Sequence, residues 1–155
     1  MATHNKPVFK KSTEDIKELI SSTKLPVIIK GVMSVEDASK AVEAGASAIV
    51  ISNHGGRVMD HTPGTADVLP QITAKITGKI KIIVDGGIRT GYDVVKMLAL
   101  GADSVLIGRD IIRAAVGAGT KGVKIHMEYM LKSLTKAMKM TCCKTIEDIT
   151  SEVIY

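Results

Sequence analysis

An α/β fold of four consecutive βα units around a parallel sheet is what this sequence predicts, on three observations. Short apolar runs rich in β-branched residues alternate with amphipathic segments of helical period, at about 25 to 30 residues per unit. Apolar residues make up 45% of the chain and aromatic residues only 3%. The core must therefore be Ile, Val, Leu, Ala and Met, a palette that suits parallel strands buried on both faces. At 155 residues the chain is one domain by size, large enough to bury a core of its own.

After a tail over residues 1–11, the domain is expected to run over 12–155. "STEDIKELISS" (12–22) opens with a Ser or Thr cap followed by acids, and places Ile16, Leu19 and Ile20 on one face, which predicts a short helix. "LPVIIKG" (25–31) is the first strand, ended by Gly31. "SVEDASKAVEAG" (34–45) has Ser34 as cap, Ala38, Ala41 and Val42 on one face and Gly45 as stop. "SAIVIS" (47–52) is the second strand and "TADVLPQITAKIT" (65–77) a helix with Pro70 inside it. "KIIVDGG" (81–87) is the third strand, followed by the helix "RTGYDVVKMLALG" (89–101). "SVLIGR" (104–109) is the fourth. A helix-prone segment then runs to Ala118, a longer amphipathic helix covers roughly 120–138, and a polar tail contains "TIEDI".

Charge and cysteines narrow the function classes. The net charge of +5 comes from lysines scattered over helix faces, with no basic block or interleaved aromatics, so nucleic acid is not an expected partner and a small anion is. Cys142 and Cys143 are adjacent, too close for an unstrained bridge and without metal-ligand spacing, so reduced thiols and no metal site are expected. "MATHNKPVFKK" lacks a signal peptide's apolar segment and no run approaches the roughly 18 apolar residues of a membrane span, which predicts a soluble, cytoplasmic protein. The eight methionines read as core filler, and His4, His61 and His126 as solvent-facing or structural.

Each strand ends in residues suited to a ligand. They are Lys30-Gly31, Ser52-Asn53-His54-Gly55-Gly56-Arg57, Asp85-Gly86-Gly87-Ile88-Arg89 and Gly108-Arg109. The carboxyl ends of parallel strands share one rim, so these packets are expected to converge although they are far apart in sequence. Glycines after a strand let N–H groups approach an oxyanion, and Arg89 and Arg109 add charged forks matched to phosphate. His54 offers an imidazole base beside Arg57, which can clamp a carboxylate by two points. Lys30 would hold positive charge against a ligand able to bear negative charge. No GxGxxG or P-loop pattern is present.

"LPVIIKG", "EDASKAVEAGASAIVISNHGGRVMD", "VDGGIRTGYDVVKMLALGADSVLIGRD" and "CKTIEDI" together resemble the C-terminal half of the flavin-dependent 2-hydroxy acid oxidases and dehydrogenases, from about Leu25 to Ile149. The resemblance implies a TIM-type barrel with FMN at the strand carboxyl ends, of which four βα units are half. It implies that His54 removes a proton from a small 2-hydroxy acid of lactate or glycolate type and that Arg57 holds its carboxylate. Lys30 would lie against the flavin and stabilise its reduced form, with Ser52 close by. Asp85, Gly86, Gly87, Arg89, Gly108 and Arg109 would hold the ribityl chain and phosphate.

A closed barrel takes about 250 residues. The chain is therefore expected to be part of a longer enzyme, to close a barrel by pairing with itself or with a separate N-terminal half-barrel, or to collapse into a different flavin-binding or ligand-free arrangement. Two other readings compete: a non-catalytic half-barrel that binds FMN or another phosphate-bearing ligand, and a phosphosugar isomerase or aldolase. The last leaves Asn53 to Arg57 without a purpose.

Overall fold

The computed structural model describes residues 9–154. Most of the expected tail over 1–11 lies outside the described residues. The chain then runs α1 (Thr13–Ser21), β1 (Ile28–Val32), α2 (Val35–Glu43), β2 (Ala48–Ile51), α3 (Thr65–Ile76), β3 (Lys81–Val84), α4 (Gly91–Ala99), β4 (Ser104–Val105) and α5 (Arg109–Met140). The strands form one parallel sheet in the order β1-β2-β3-β4. This is the α/β arrangement the alternating periods predict.

Local chemistry sets the helix ends. Ser12 and Asp15 form a reciprocal capping box at α1, and the Ser34 hydroxyl accepts the Asp37 N–H at α2. At α4 the Asp93 carboxylate accepts the N–H groups of Arg89 and Thr90 and the Thr90 hydroxyl, at 2.9 to 3.1 Å. Burial alone would raise the Asp93 pKa, but these hydrogen bonds outweigh it and hold the carboxyl below its ordinary value.

The helix-facing side of the sheet is the core. Ile49, Ile51, Ile82 and Val84 pack there with Leu69, Ile72 and Ile76 of α3, all seven at 1% exposure or less. Each such side chain contributes about 1.5 to 3 kcal/mol by leaving water. A second cluster joins Val95 and Ala99 of α4 to Ala137 of α5, Cys143 and Ile149. It seats the C-terminal segment against the last two helices.

Three expectations need correction. Gly31 does not end β1: it lies inside the strand at a register shift between Lys30 and Val32, with φ +98°, and the strand runs on to Val32. The fourth strand is shorter than "SVLIGR", because ladder pairing stops at Val105 and the chain turns into α5 at Arg109. The two helical segments expected after it are both present, and they meet where the sequence divides them, at a kink with non-helical dihedrals at Ala118 and Gly119. The methionines divide: Met130 is buried, whereas Met59, Met127 and Met140 are exposed. Among the described residues no helix is long and apolar enough to cross a membrane, and no group of metal-ligating side chains occurs.

Candidate active site

The sheet register brings the strand-end packets together. Lys30 is paired with Val50, and Val50 with Ile83, so these three share a row and a face of the sheet. Two residues further along β2 and β3 come Ser52 and Asp85, on the same face by strand alternation. The lysine reaches forward one row and donates to both, at 2.6 Å to Ser52 Oγ and 2.6 Å to Asp85 Oδ2. Ser52 is 2% exposed, and its oxygen also accepts the His54 N–H at 3.1 Å. One buried hydroxyl thus joins the cation to the start of the histidine turn.

The turn His54–Gly56 is wound left-handed, with φ of +55°, +68° and +71° at its three residues. Glycine adopts this region freely, whereas at His54 it carries a strain of about 1 to 2 kcal/mol. The Asn53 side chain holds the turn by accepting the Gly55 N–H at 3.0 Å and donating to the Pro63 carbonyl at 3.3 Å. His54 and Arg57 are both exposed and face the same cleft.

The third packet forms a cradle. Gly86 and Gly87 have φ of +96° and +75°, and the buried Ile88 anchors the turn beneath them. Neither glycine N–H has an acceptor among the described residues, and a side chain on Gly87 would meet nothing within 4 Å. The Arg109 guanidinium packs against the Gly55 turn, 3.8 Å from where a Cβ on Gly55 would lie. Arg109 also opens α5, whose first turn has Gly108 as N-cap and no side-chain cap, so unpaired N–H groups and the helix dipole add to the positive charge there.

A cleft of about 430 Å³ is lined by Lys30, His54, Gly55, Arg57, Asp85, Gly86, Gly87, Arg89, Gly108 and Arg109. Of the ten residues expected at the site only Ser52 is not on its wall, lying beneath it and bonded to Lys30. Leu106, Ile107, Asp110, Ile112 and Arg113 line it as well, none of them expected from sequence. Arg113 pairs with Asp110 at 2.9 Å one helical turn apart. An i,i+3 acid and base pair would have been the signal, but such pairs are common on solvated helices.

The cleft can therefore seat an oxyanion on N–H groups and arginines, hold a proton-accepting imidazole near a carboxylate-binding arginine, and keep a lysine against whatever lies between. The chain is 46% identical over 139 residues to a peroxisomal (S)-2-hydroxyacid oxidase of Arabidopsis thaliana, covering 90% of this chain and 38% of that protein. It is 41% identical to an L-lactate oxidase of Nostoc sp., covering 92% of this chain and 39% of that protein. Among solved structures it is similar to a mandelate oxidase with 3,3-difluoro-2-hydroxy-3-phenylpropionic acid, at 40% identity and a TM-score of 0.87, covering 91% of this chain and 43% of that one. A mandelate oxidase variant with a monooxide FMN adduct matches at a TM-score of 0.85 and 41% identity, over 88% of this chain and 44% of that one. The chain thus spans about two-fifths of the length of the relatives it matches. The family model for FMN-dependent dehydrogenases matches residues 2–155, and this chain belongs to that family.

Proposed function

We propose that this chain carries the FMN phosphate site and the proton-abstracting residues of an oxidoreductase acting on a small 2-hydroxy acid. The observation that carries this reading is the convergence on one cleft of Lys30, His54 with Arg57, and the Gly86–Gly87 cradle with Arg109.

The residues present fit FMN. The open side of Gly87, the free N–H groups and the arginines suit its phosphate, and the Lys30 ammonium lies on the same face of the sheet. FMN when bound supplies the two-electron acceptor. Arg57 binds the substrate carboxylate and thereby orients the 2-hydroxyl towards His54. His54 accepts the proton at its imidazole, and its left-handed backbone, held through Ser52 and Asn53, fixes the ring's direction of approach. Lys30 keeps a positive charge where negative charge develops.

Completion of the barrel is part of the proposal. Strands β1 and β4 are the sheet's outer strands, and Ile28 on β1 and Leu106 just past β4 are 50% and 42% exposed. A second copy or an N-terminal half-barrel would cover them. A cytoplasmic location is also proposed, and because two relatives are named as peroxisomal, cell fractionation decides it. The test of function is an absorbance spectrum of the purified chain with FMN on a sizing column, followed by anaerobic bleaching with lactate or glycolate. His54→Ala is expected to retain flavin and lose turnover, and wild-type rates in that variant would refute the assignment.

A further inference from the structure

Thr65 is the first residue of α3 and is 5% exposed. A buried hydroxyl without a partner costs free energy, so its hydrogen bond shows what it is for. It does not cap its own helix: the Asp67 carboxylate accepts the Gly64 N–H at 2.9 Å, while the Thr65 hydroxyl crosses to β3 and donates to the Asp85 carbonyl at 2.7 Å.

That carbonyl belongs to the same planar peptide unit as the Gly86 N–H. The two point in opposite directions in a trans unit, so pinning the oxygen on the α3 side aims the N–H away from it. Thr65 Oγ1 also lies 3.1 Å from where a Cβ on Gly86 would sit, and Asn53 Oδ1 lies 4.0 Å from the same point. Two polar side chains thus border the Cβ side of Gly86, and a flip of the peptide would break the Thr65 hydrogen bond. The side chain of Asp85, on the same residue, is bonded to Lys30.

We infer that Thr65 is a positioning residue for the anion cradle: by fixing the Asp85–Gly86 peptide plane it directs the Gly86 N–H at a bound phosphate and sets the affinity for the ligand that carries it. The ligand's identity as FMN rests on the proposed function; the role of Thr65 in orienting the peptide does not.

The test compares Thr65→Val, which keeps the shape and loses the hydroxyl, with Thr65→Ser, which keeps the hydroxyl. Thr73→Val is the control for a merely structural effect. Thr73 is also buried on α3, with its hydroxyl bonded to the carbonyls of Pro70 and Leu100, and it does not line the cleft. The readouts are the ¹⁵N–¹H resonances of Gly86 and Gly87 in the ligand-free chain and FMN affinity by fluorescence quenching. The Thr65→Val variant is expected to move the Gly86 resonance and weaken FMN about three- to tenfold, Thr65→Ser to restore both, and Thr73→Val to change neither at a comparable loss of thermal stability. Thr65→Cys replaces the valine variant if that one does not fold. Unmoved Gly86 and Gly87 resonances without the hydroxyl, or equal movement in Thr73→Val, overturn the inference. A wild-type chain that does not bind FMN sinks the cofactor reading, and the resonance comparison still decides the role of Thr65.

Discussion

Replacing Lys30 with Met separates two contributions of one cation. Methionine keeps the length of the apolar stem and removes the ammonium that donates to Ser52 and Asp85 at 2.6 Å each. In the ligand-free chain the side chains of the Lys30–Asp85 pair are 46% and 20% exposed, so the pair lies between a surface ion pair and a buried one. Surface pairs contribute about 0 to 1 kcal/mol and breaking a buried one costs about 3 to 5, which places the loss of stability at about 1 to 2 kcal/mol. The effect on bound flavin is asymmetric. A hydrogen bond to a charged group contributes about 1.5 to 3 kcal/mol, and on the proposed reading Lys30 faces the flavin ring, which gains negative charge only on reduction. For a two-electron couple that corresponds to a midpoint potential lower by about 30 to 60 mV. Urea unfolding measures the first quantity and potentiometric titration of the flavin-loaded protein the second. An unchanged or raised potential would refute the placement of Lys30 against the cofactor.

Asp93→Asn is expected to cost about 1 kcal/mol, because the carboxylate caps α4 and accepts the Arg89 N–H. The folded pKa is depressed, so in the wild type this contribution is present above the unfolded value near 4 and disappears as pH falls through the lower folded value. Urea midpoints measured from pH 7 downwards should therefore converge for the two proteins in acid, and a constant gap would count against the cap. Cys142 sits just past the end of α5 at φ +58°, with the Cys143 N–H closing on the Met138 carbonyl at 2.9 Å. Glycine is the residue that position favours, so Cys142→Gly should stabilise by about 0.5 to 1 kcal/mol and raise the melting temperature by a few degrees in calorimetry. Gly91, whose N–H donates to Ser133 Oγ at 2.7 Å, packs so closely on α5 that a Cβ would collide with the Leu134 backbone. Gly91→Ala is accordingly expected to lose about 3 kcal/mol in urea, and a wild-type midpoint would show that α4 and α5 are not seated this tightly.

What sequence carries well is information written within a few residues of itself. Ser12, Ser34 and Gly45 each mark a helix end by an interaction that spans three or four positions, and each stands where the sequence places it. The convergence of Lys30, His54, Asp85 and Arg109 was legible for a different reason: parallel strands impose a common direction, so four local signals inherit one rim. The bulge at Gly31 was not, because a strand that ends in glycine and a strand that bulges there look alike until the partner's register is known. The length of β4 was hidden likewise, since "SVLIGR" remains apolar beyond the point where pairing stops. Thr65 escaped because a threonine at the start of a helix has a sufficient local explanation, while its actual partner, the Asp85 carbonyl, is 20 residues away.

The charges on the rim tie the fold to its ligand. Asp85 is engaged by Lys30 and Asp110 by Arg113, which leaves Arg57, Arg89 and Arg109 with no acidic partner among the described residues. Three such cations around one cleft repel one another, and the N–H groups at the start of α5 add to the same positive potential. A protein that needed only to be stable would place acids there, as it does at Lys17, Lys40 and Lys81. On the proposed reading, that repulsion is relieved when a phosphate or a carboxylate enters the cleft. The arginines that cost the fold stability are, on that reading, the ones that select an anion, and a bound anion stabilises the fold by RT ln(1 + [L]/Kd).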